Sequence, residues 1–275
     1  MESLGEIYRR LKLTPQKTQT SQTSASSSQS QDTTLPQTNP MTSPNSVETA
    51  CPICGGIGWL SKEVPMDHPD FGRAFPCDCL MAKFLVEQKL RQWKTASVPE
   101  RFQNFTLNTS PLKRAAKRLI SAPKESSWLL WGEKGVGKTG LAVGYLRQFL
   151  DAGFGQALFF SLPLMLAALK ATYGKQPDPE SEELTEAELI TYWTRVPLLV
   201  VDDMGAEQVS GSGWVEDRLY QIIGQRHATL KPIFITSNLS PTELGHKLGD
   251  RILWRIVEMC GKDNIIHVTG PNLRA

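Results

Sequence analysis

Gly132-Glu133-Lys134-Gly135-Val136-Gly137-Lys138-Thr139 is the stretch that decides the fold. It reads G-x-x-x-x-G-K-[ST], the pattern of a phosphate-cradling P-loop. Its flanks agree with it. The apolar run Trp128-Leu129-Leu130-Trp131 leads in like a buried strand, and a helix-compatible stretch over residues 138–150 leads out. Strand, glycine loop and helix form the geometry the motif needs. The glycines let backbone N–H groups turn onto phosphate oxygens without Cβ clashes. Lys138 is spaced to reach β- and γ-phosphates, and the Thr139 hydroxyl to help hold Mg²⁺. The expected nucleotide-binding residues are therefore Gly132, Glu133, Lys134, Gly135, Val136, Gly137, Lys138, Thr139 and Gly140.

Outward from this loop, apolar runs alternate with helical patterns. Residues 127–132, 157–162, 197–203, 232–238 and 264–269 read as strands. Residues 138–150, 163–173, 185–193, 213–228, 241–244 and 249–260 read as helices. Near-continuous Val, Ile, Leu and Phe runs suit strands covered on both faces. The alternation predicts an α/β fold, a three-layer parallel sheet of the P-loop NTPase kind.

Pro197-Leu198-Leu199-Val200-Val201-Asp202-Asp203 is a buried strand that ends in two carboxylates, where open α/β sheets bind ligands. Asp202 is expected to orient Mg²⁺ and Asp203 to polarise an attacking water. No Asn-Lys-x-Asp follows, which disfavours guanine. Residues 232–238 end in Thr236, Ser237 and Asn238, whose amide can either touch a γ-phosphate or simply form a turn. Arg251 and Arg255 stand four apart on one helical face, beside an apolar stripe of Leu248, Ile252 and Ile256. They are either a solvated basic face, paired with Asp250 or Glu258, or charge donated to a nucleotide, in cis or from a neighbouring subunit.

Taken together, the P-loop, Leu-Leu-Val-Val-Asp-Asp-Met-Gly-Ala-Glu, Ile-Thr-Ser-Asn and Gly-Asp-Arg-Ile-Leu-Trp-Arg resemble the DnaC/DnaI helicase loaders and the related IstB transposition ATPases of the AAA+ superfamily. The resemblance runs from about Val98 to the last residue. It implies an AAA+ ATPase whose site is completed at a subunit interface. It carries Walker A onto Lys138 and Thr139, Walker B onto Asp202 and Asp203, and sensor 1 onto Asn238. The arginine finger falls on Arg255, with Arg251 as second choice, and sensor 2 on Arg274. Many AAA+ ATPases have Glu where this chain has Asp203; the side chain is one methylene shorter, which predicts slow, partner-stimulated hydrolysis.

The N-terminal third is built differently. Residues 1–13 form a short amphipathic pattern, with Leu4, Ile7, Tyr8 and Leu11 at helical spacing. Residues 14–49 are Ser, Thr, Gln and Pro with hardly any large apolar side chain, and read as a disordered linker. Residues 50–96 are a cysteine module with a connecting helix, and residues 97–275 the ATPase domain. Cys51-Pro52-Ile53-Cys54 is a knuckle that grips one ion, and Cys77-Asp78-Cys79 completes a tetrahedral Zn²⁺ set. His68 is the substitute ligand to consider. A redox pair would need a thioredoxin-like βαβ context, which is lacking. Trp59 and Phe71 are expected in the module's small core, with base stacking as the alternative. Cys260 is expected to be a small buried hydrophobe.

A net charge of +2 is too close to zero to argue by itself for a nucleic-acid partner. Two basic clusters, Lys113, Arg114, Lys117 and Arg118, and Lys89, Arg91 and Lys94, are either solvated faces or phosphate contacts. No apolar run approaches the ~18 residues of a membrane span, and residues 1–13 lack the h-region of a signal peptide, so a cytoplasmic protein is expected. The resemblance implies ATP, Mg²⁺ and Zn²⁺ as ligands. It implies a hexameric replicative helicase, single-stranded DNA and further copies of the chain as partners. The rival readings are an IstB-type transposition helper and a zinc adaptor that binds ATP with little hydrolysis.

Overall fold

The computed structural model describes residues 51–173, 184–206 and 213–273. The expected helix at residues 1–13, the linker at 14–49 and Arg274 lie outside them. Among the described residues the chain divides into two compact units, one ending at Val86 and the other running on from Glu87.

The larger unit carries five parallel strands, β3 (Trp128–Trp131), β4 (Ala157–Ser161), β5 (Leu198–Met204), β6 (Ile233–Ser237) and β7 (Ile265–His267), in the order β4-β5-β6-β3-β7. Strand alternation sorts the apolar runs into two layers. Leu129, Leu158, Phe160, Leu199, Val201, Ile233 and Ile235 face one way. There they meet α4 (Leu162–Lys170), α5 (Glu186–Arg195), α6 (Trp214–Ala228), α7 (Pro241–Leu248) and α8 (Asp250–Cys260). Trp128, Leu130, Ala157, Phe159, Leu198, Val200 and Phe234 face the other way, against α2 (Lys113–Ser121) and α3 (Lys138–Asp151). This is the three-layer arrangement predicted, and it explains why these strands lack polar alternation: both faces are covered.

Local chemistry fixes the helix ends. Thr185 and Glu188 form a reciprocal capping box at α5, and Ser240 and Glu243 form one at α7, where Pro241 opens the helix. The two hydrogen bonds from Ser240 hold the Glu243 carboxyl below its ordinary range. Helix α7 runs four residues past the predicted Leu244, since Leu244 and Leu248 both enter the core.

Arg226, on α6, is fully buried and has no carboxylate partner among the described residues. Its guanidinium donates to the carbonyls of Trp193 (2.7 Å), Val196 (2.9 Å), Pro197 (3.3 Å) and Pro232. It therefore ties the end of α5 to the starts of β5 and β6. Burial pushes its pKa down to about 9. Nothing in the helical pattern of residues 213–228 marks it as different from a surface arginine.

The smaller unit holds an antiparallel hairpin, β1 (Trp59–Ser61) with β2 (Ala74–Pro76), followed by α1 (Asp78–Thr95), which continues into the larger unit. Helix α1, the expected connecting helix, begins at Asp78, so Cys79 lies in its first turn and Cys77 directly before it. The expected core is not there. Ile57 is 77% exposed, Trp59 50% and Phe71 51%. Two three-residue strands have no second layer to cover their face. Of the residues in these strands only Leu60 and Phe75 are partly covered, and the Lys62 ammonium sits over the Phe75 ring.

Candidate functional site

The P-loop links the end of β3 to the start of α3. Gly132 has φ +148°, and a Cβ there would lie 2.2 Å from the Val268 carbonyl oxygen, so only glycine lets β7 approach. The Lys138 ammonium donates to the carbonyls of Gly132 and Glu133, both at 2.8 Å, and to Asn238 Oδ1 at 2.9 Å. The Asn238 amide and the loop lysine, a hundred residues apart in sequence, are thus in direct contact. Thr139 Oγ1 donates to Asp202 Oδ2 at 3.1 Å, across a sequence gap of 63 residues. The structure therefore brings Lys138, Thr139, Asp202 and Asn238 together.

Asp202 is buried, and burial pushes its carboxyl up to about 6 against the opposing hydrogen bond from Thr236. Thr236 belongs to the polar end of β6, and no motif gives it a role. Its hydroxyl donates to Asp202 Oδ1 at 2.6 Å and accepts from the Asp203 N–H at 3.0 Å. With its one proton committed to Asp202, it ties both aspartates to β6.

Asp203 has φ +55°, in the left-handed region that non-glycine residues seldom occupy. The pairing of β5 with β6 is irregular between Val201 and Met204. Successive strand residues face opposite sides, so a regular strand cannot send both carboxylates to one site. The irregularity re-aims Asp203, which lines the cleft while Asp202 reaches Thr139.

That cleft, about 420 Å³, is bounded on one side by the P-loop and on the other by Arg101, Phe102, Phe105, Pro111 and Leu112. No sequence motif announces this second wall. A fainter signal lies in α3: a Cβ on Gly140 would lie 3.0 Å from the Phe105 ring, and one on Gly144 2.8 Å from Leu107. Two glycines one turn apart in a helix mark the place where another segment lies against it. The closing segment also reaches the loop. The Leu273 N–H donates to the Gly135 carbonyl at 2.9 Å, and the Leu273 side chain lines the cleft.

Arg255 and Arg251 are not among the residues of this cleft. Arg255 donates to the Arg251 carbonyl and to the Tyr220 hydroxyl (2.8 Å), with its guanidinium 4.3 Å from the Tyr220 ring centre. Glu258 pairs instead with His227, at 3.0 Å. The Ile252 and Ile256 stripe is buried as expected.

In the smaller unit the four Sγ atoms of Cys51, Cys54, Cys77 and Cys79 lie within 4.8 Å of one another. Cys51 and Cys77 are 3.8 Å apart, and Cys54 and Cys79 3.4 Å. Tetrahedral zinc with Zn–S of about 2.3 Å needs sulfur separations of about 3.8 Å, so the cluster fits the ion. The Gly58 N–H donates to Cys54 Sγ at 3.2 Å and holds that thiol down to about 6. His68 is outside the cluster; its Nδ1 accepts from the Asp70 N–H. Cys260 is buried, and burial pushes its thiol up to about 12, as an inert hydrophobe requires. No helix among the described residues is long and apolar enough to cross a membrane.

The sequence profile described as "IstB-like ATP binding protein" matches residues 93–273. Among solved structures, that of the DnaC helicase loader aligns with a TM-score of 0.52 at 24% identity, covering 62% of this chain and 100% of that one. The structure of DnaI aligns at 0.51 and 24%, covering 67% and 100%. Replication initiator DnaA bound to AMPPCP and single-stranded DNA aligns at 0.50 and 17%, covering 64% and 52%. Comparison with curated proteins gives no match.

Proposed function

The chain belongs to the family of IstB-like ATP binding proteins, and from that premise we propose that it is an ATPase that loads a hexameric replicative helicase onto single-stranded DNA. An ATP-binding AAA+ domain is common to the family; the loading role is our reading. One observation carries it. Lys138 meets Asn238 and Thr139 meets Asp202, which supports a single nucleotide site built from the P-loop and both strand ends. The DnaC and DnaI structures support the fold of that site, and the presence of a cysteine module in the same chain supports loader over helper. We assign residues 97–275 to the ATPase and residues 50–96 to the zinc module.

In this reading the P-loop N–H groups and the Lys138 ammonium hold the phosphates, and Phe102, Phe105 and Leu112 bound the space left for the base. Mg²⁺, held by Thr139 and Asp202, would neutralise charge developing on the phosphates. Asp203 faces the cleft and orients water, while Asn238 links the sensor strand to Lys138. Arg255 is half-buried against Tyr220 and lies outside its own cleft, which suits a finger offered to a neighbouring copy. Arg274 would act as sensor 2.

The test is capture of helicase from solution by the unaltered chain and by Lys138→Ala. Both variants retaining one hexameric helicase, with the nucleotide response lost only in Lys138→Ala, is the expected result. The family description itself favours the IstB-type helper as a second reading. Capture of a transposase in place of a helicase would establish that reading and overturn ours.

A further inference from the structure

Arg255 leaves α8 and lies across a neighbouring helix, α6. The two helices bury Leu219, Ile223, Ile252 and Ile256 in one core, so they are held together without help from the arginine. Its guanidinium stands 4.3 Å from the centre of the Tyr220 ring and donates to the Tyr220 hydroxyl at 2.8 Å. One turn further along α6, a Cβ on Gly224 would stand 3.7 Å from Arg255 Nε, in ordinary contact. A longer side chain at that position would compete with the arginine for space. On α8 itself the Arg251 carbonyl accepts a second hydrogen bond, at 3.0 Å.

A solvated arginine needs no such seat. Arg251, one turn earlier on α8, is exposed, and its guanidinium has no hydrogen bond or ion pair among the described residues. The seat of Arg255 is also uncharged. A hydroxyl, a carbonyl and a ring face hold the guanidinium, while Glu258, three residues on, is taken by His227. Two of the five N–H donors are engaged, so the charge is not neutralised and donors remain for an anion. An arginine free to sample many rotamers must be ordered as the transition state forms; one already seated is ordered when the chain folds.

We propose that Tyr220 is a positioning residue for ATP hydrolysis, whose ring and hydroxyl hold Arg255 in the pose that meets the γ-phosphate bound by a neighbouring copy. The inference rests on the reading of Arg255 as a finger offered to that copy, and adds the residue that aims it. Tyr220 is not among the residues of its own chain's cleft, so it acts through Arg255. Preorganised charge of this kind acts on turnover more than on ATP affinity, because the finger is needed most where charge develops on the transferring phosphoryl group.

The test is complementation between full-length copies mixed one to one with ATP and magnesium, read as steady-state phosphate release. Lys138→Ala supplies the finger but holds no triphosphate; Arg255→Ala holds the triphosphate but supplies no finger. Neither should turn over alone, and the mixture should. Within the Lys138→Ala copy, Tyr220→Phe keeps the ring and loses the hydroxyl, and should lower kcat of the mixture about threefold; Tyr220→Ala should lower it about tenfold. KM for ATP should stay within about twofold. The same substitutions in the Arg255→Ala copy should have much the smaller effect, since that copy's own seat is empty. Full complementation by the Tyr220→Ala donor, or equal losses in the two arrangements, would overturn the positioning role and leave the finger in place. A silent mixture beside an active unaltered chain would overturn the finger in trans, and this inference with it. An unaltered chain that releases no phosphate would overturn the ATPase reading beneath both.

Discussion

Trp193 and Trp59 are the same residue in two kinds of structure. Trp193 is fully buried on α5, edge-on to Phe160, inside a core that lines a whole sheet face. Trp59 is half exposed on a three-residue strand. The ATPase domain is held by burial, and the cysteine module by four sulfurs around one point. A module of this size buries too little surface to offset its chain entropy, and its four-cysteine cluster is where a bound metal would supply the difference. If the cluster holds a metal, the chain draws on two unrelated sources of stability and should fail in two independent ways.

Chelation should separate the two regions most sharply. Structural zinc in peptides contributes roughly 10–16 kcal/mol, so its removal should abolish order in residues 51–79. The thermal melt of the ATPase domain should stay in place. Hydrogen exchange along the chain measures both, and loss of the whole cooperative melt would show the two units to be one folding unit.

Next in size is the tryptophan pair itself. Trp193→Ala should destabilise the ATPase domain by about 3–5 kcal/mol, and Trp59→Ala should change stability by less than about 0.5 kcal/mol. Urea denaturation of both variants decides it. A Trp59→Ala loss near that of Trp193→Ala would mean that the module has a core after all.

A smaller effect concerns pH. Asp202 titrates near 6 in the folded chain, raised by burial from an ordinary value of 3.8. Between those values the folded chain holds a proton that the unfolded chain has released. Stability from neutral Asp202 is thus fully present below pH 3.8 and lost as pH rises through 6. Asp202→Asn should remove that decline, on the order of 2 kcal/mol, in metal- and nucleotide-free protein. The difference between the two urea midpoints, followed from about pH 4 to pH 7, reads it directly.

Much of the site is legible in the sequence because its chemistry sits at fixed short spacings. The P-loop, the paired aspartates, the Asn at a strand end and the two cysteine pairs each declare themselves within a few residues. Arg226 does not, since a buried guanidinium and a solvated one have the same helical neighbours; only its four carbonyl partners distinguish it. Thr236 does not, because its role is to join two residues of another strand.

The amino-acid order by itself determined which groups can hold phosphate and metal, and that a parallel sheet carries the first of them. It could do so because strand period, loop length and ligand spacing are local. Tertiary structure alone decided which side of β5 Asp203 faces, which aromatics meet water and which carbonyls hold the Arg226 guanidinium. Those outcomes depend on what packs opposite a residue, and that partner stands far away along the chain.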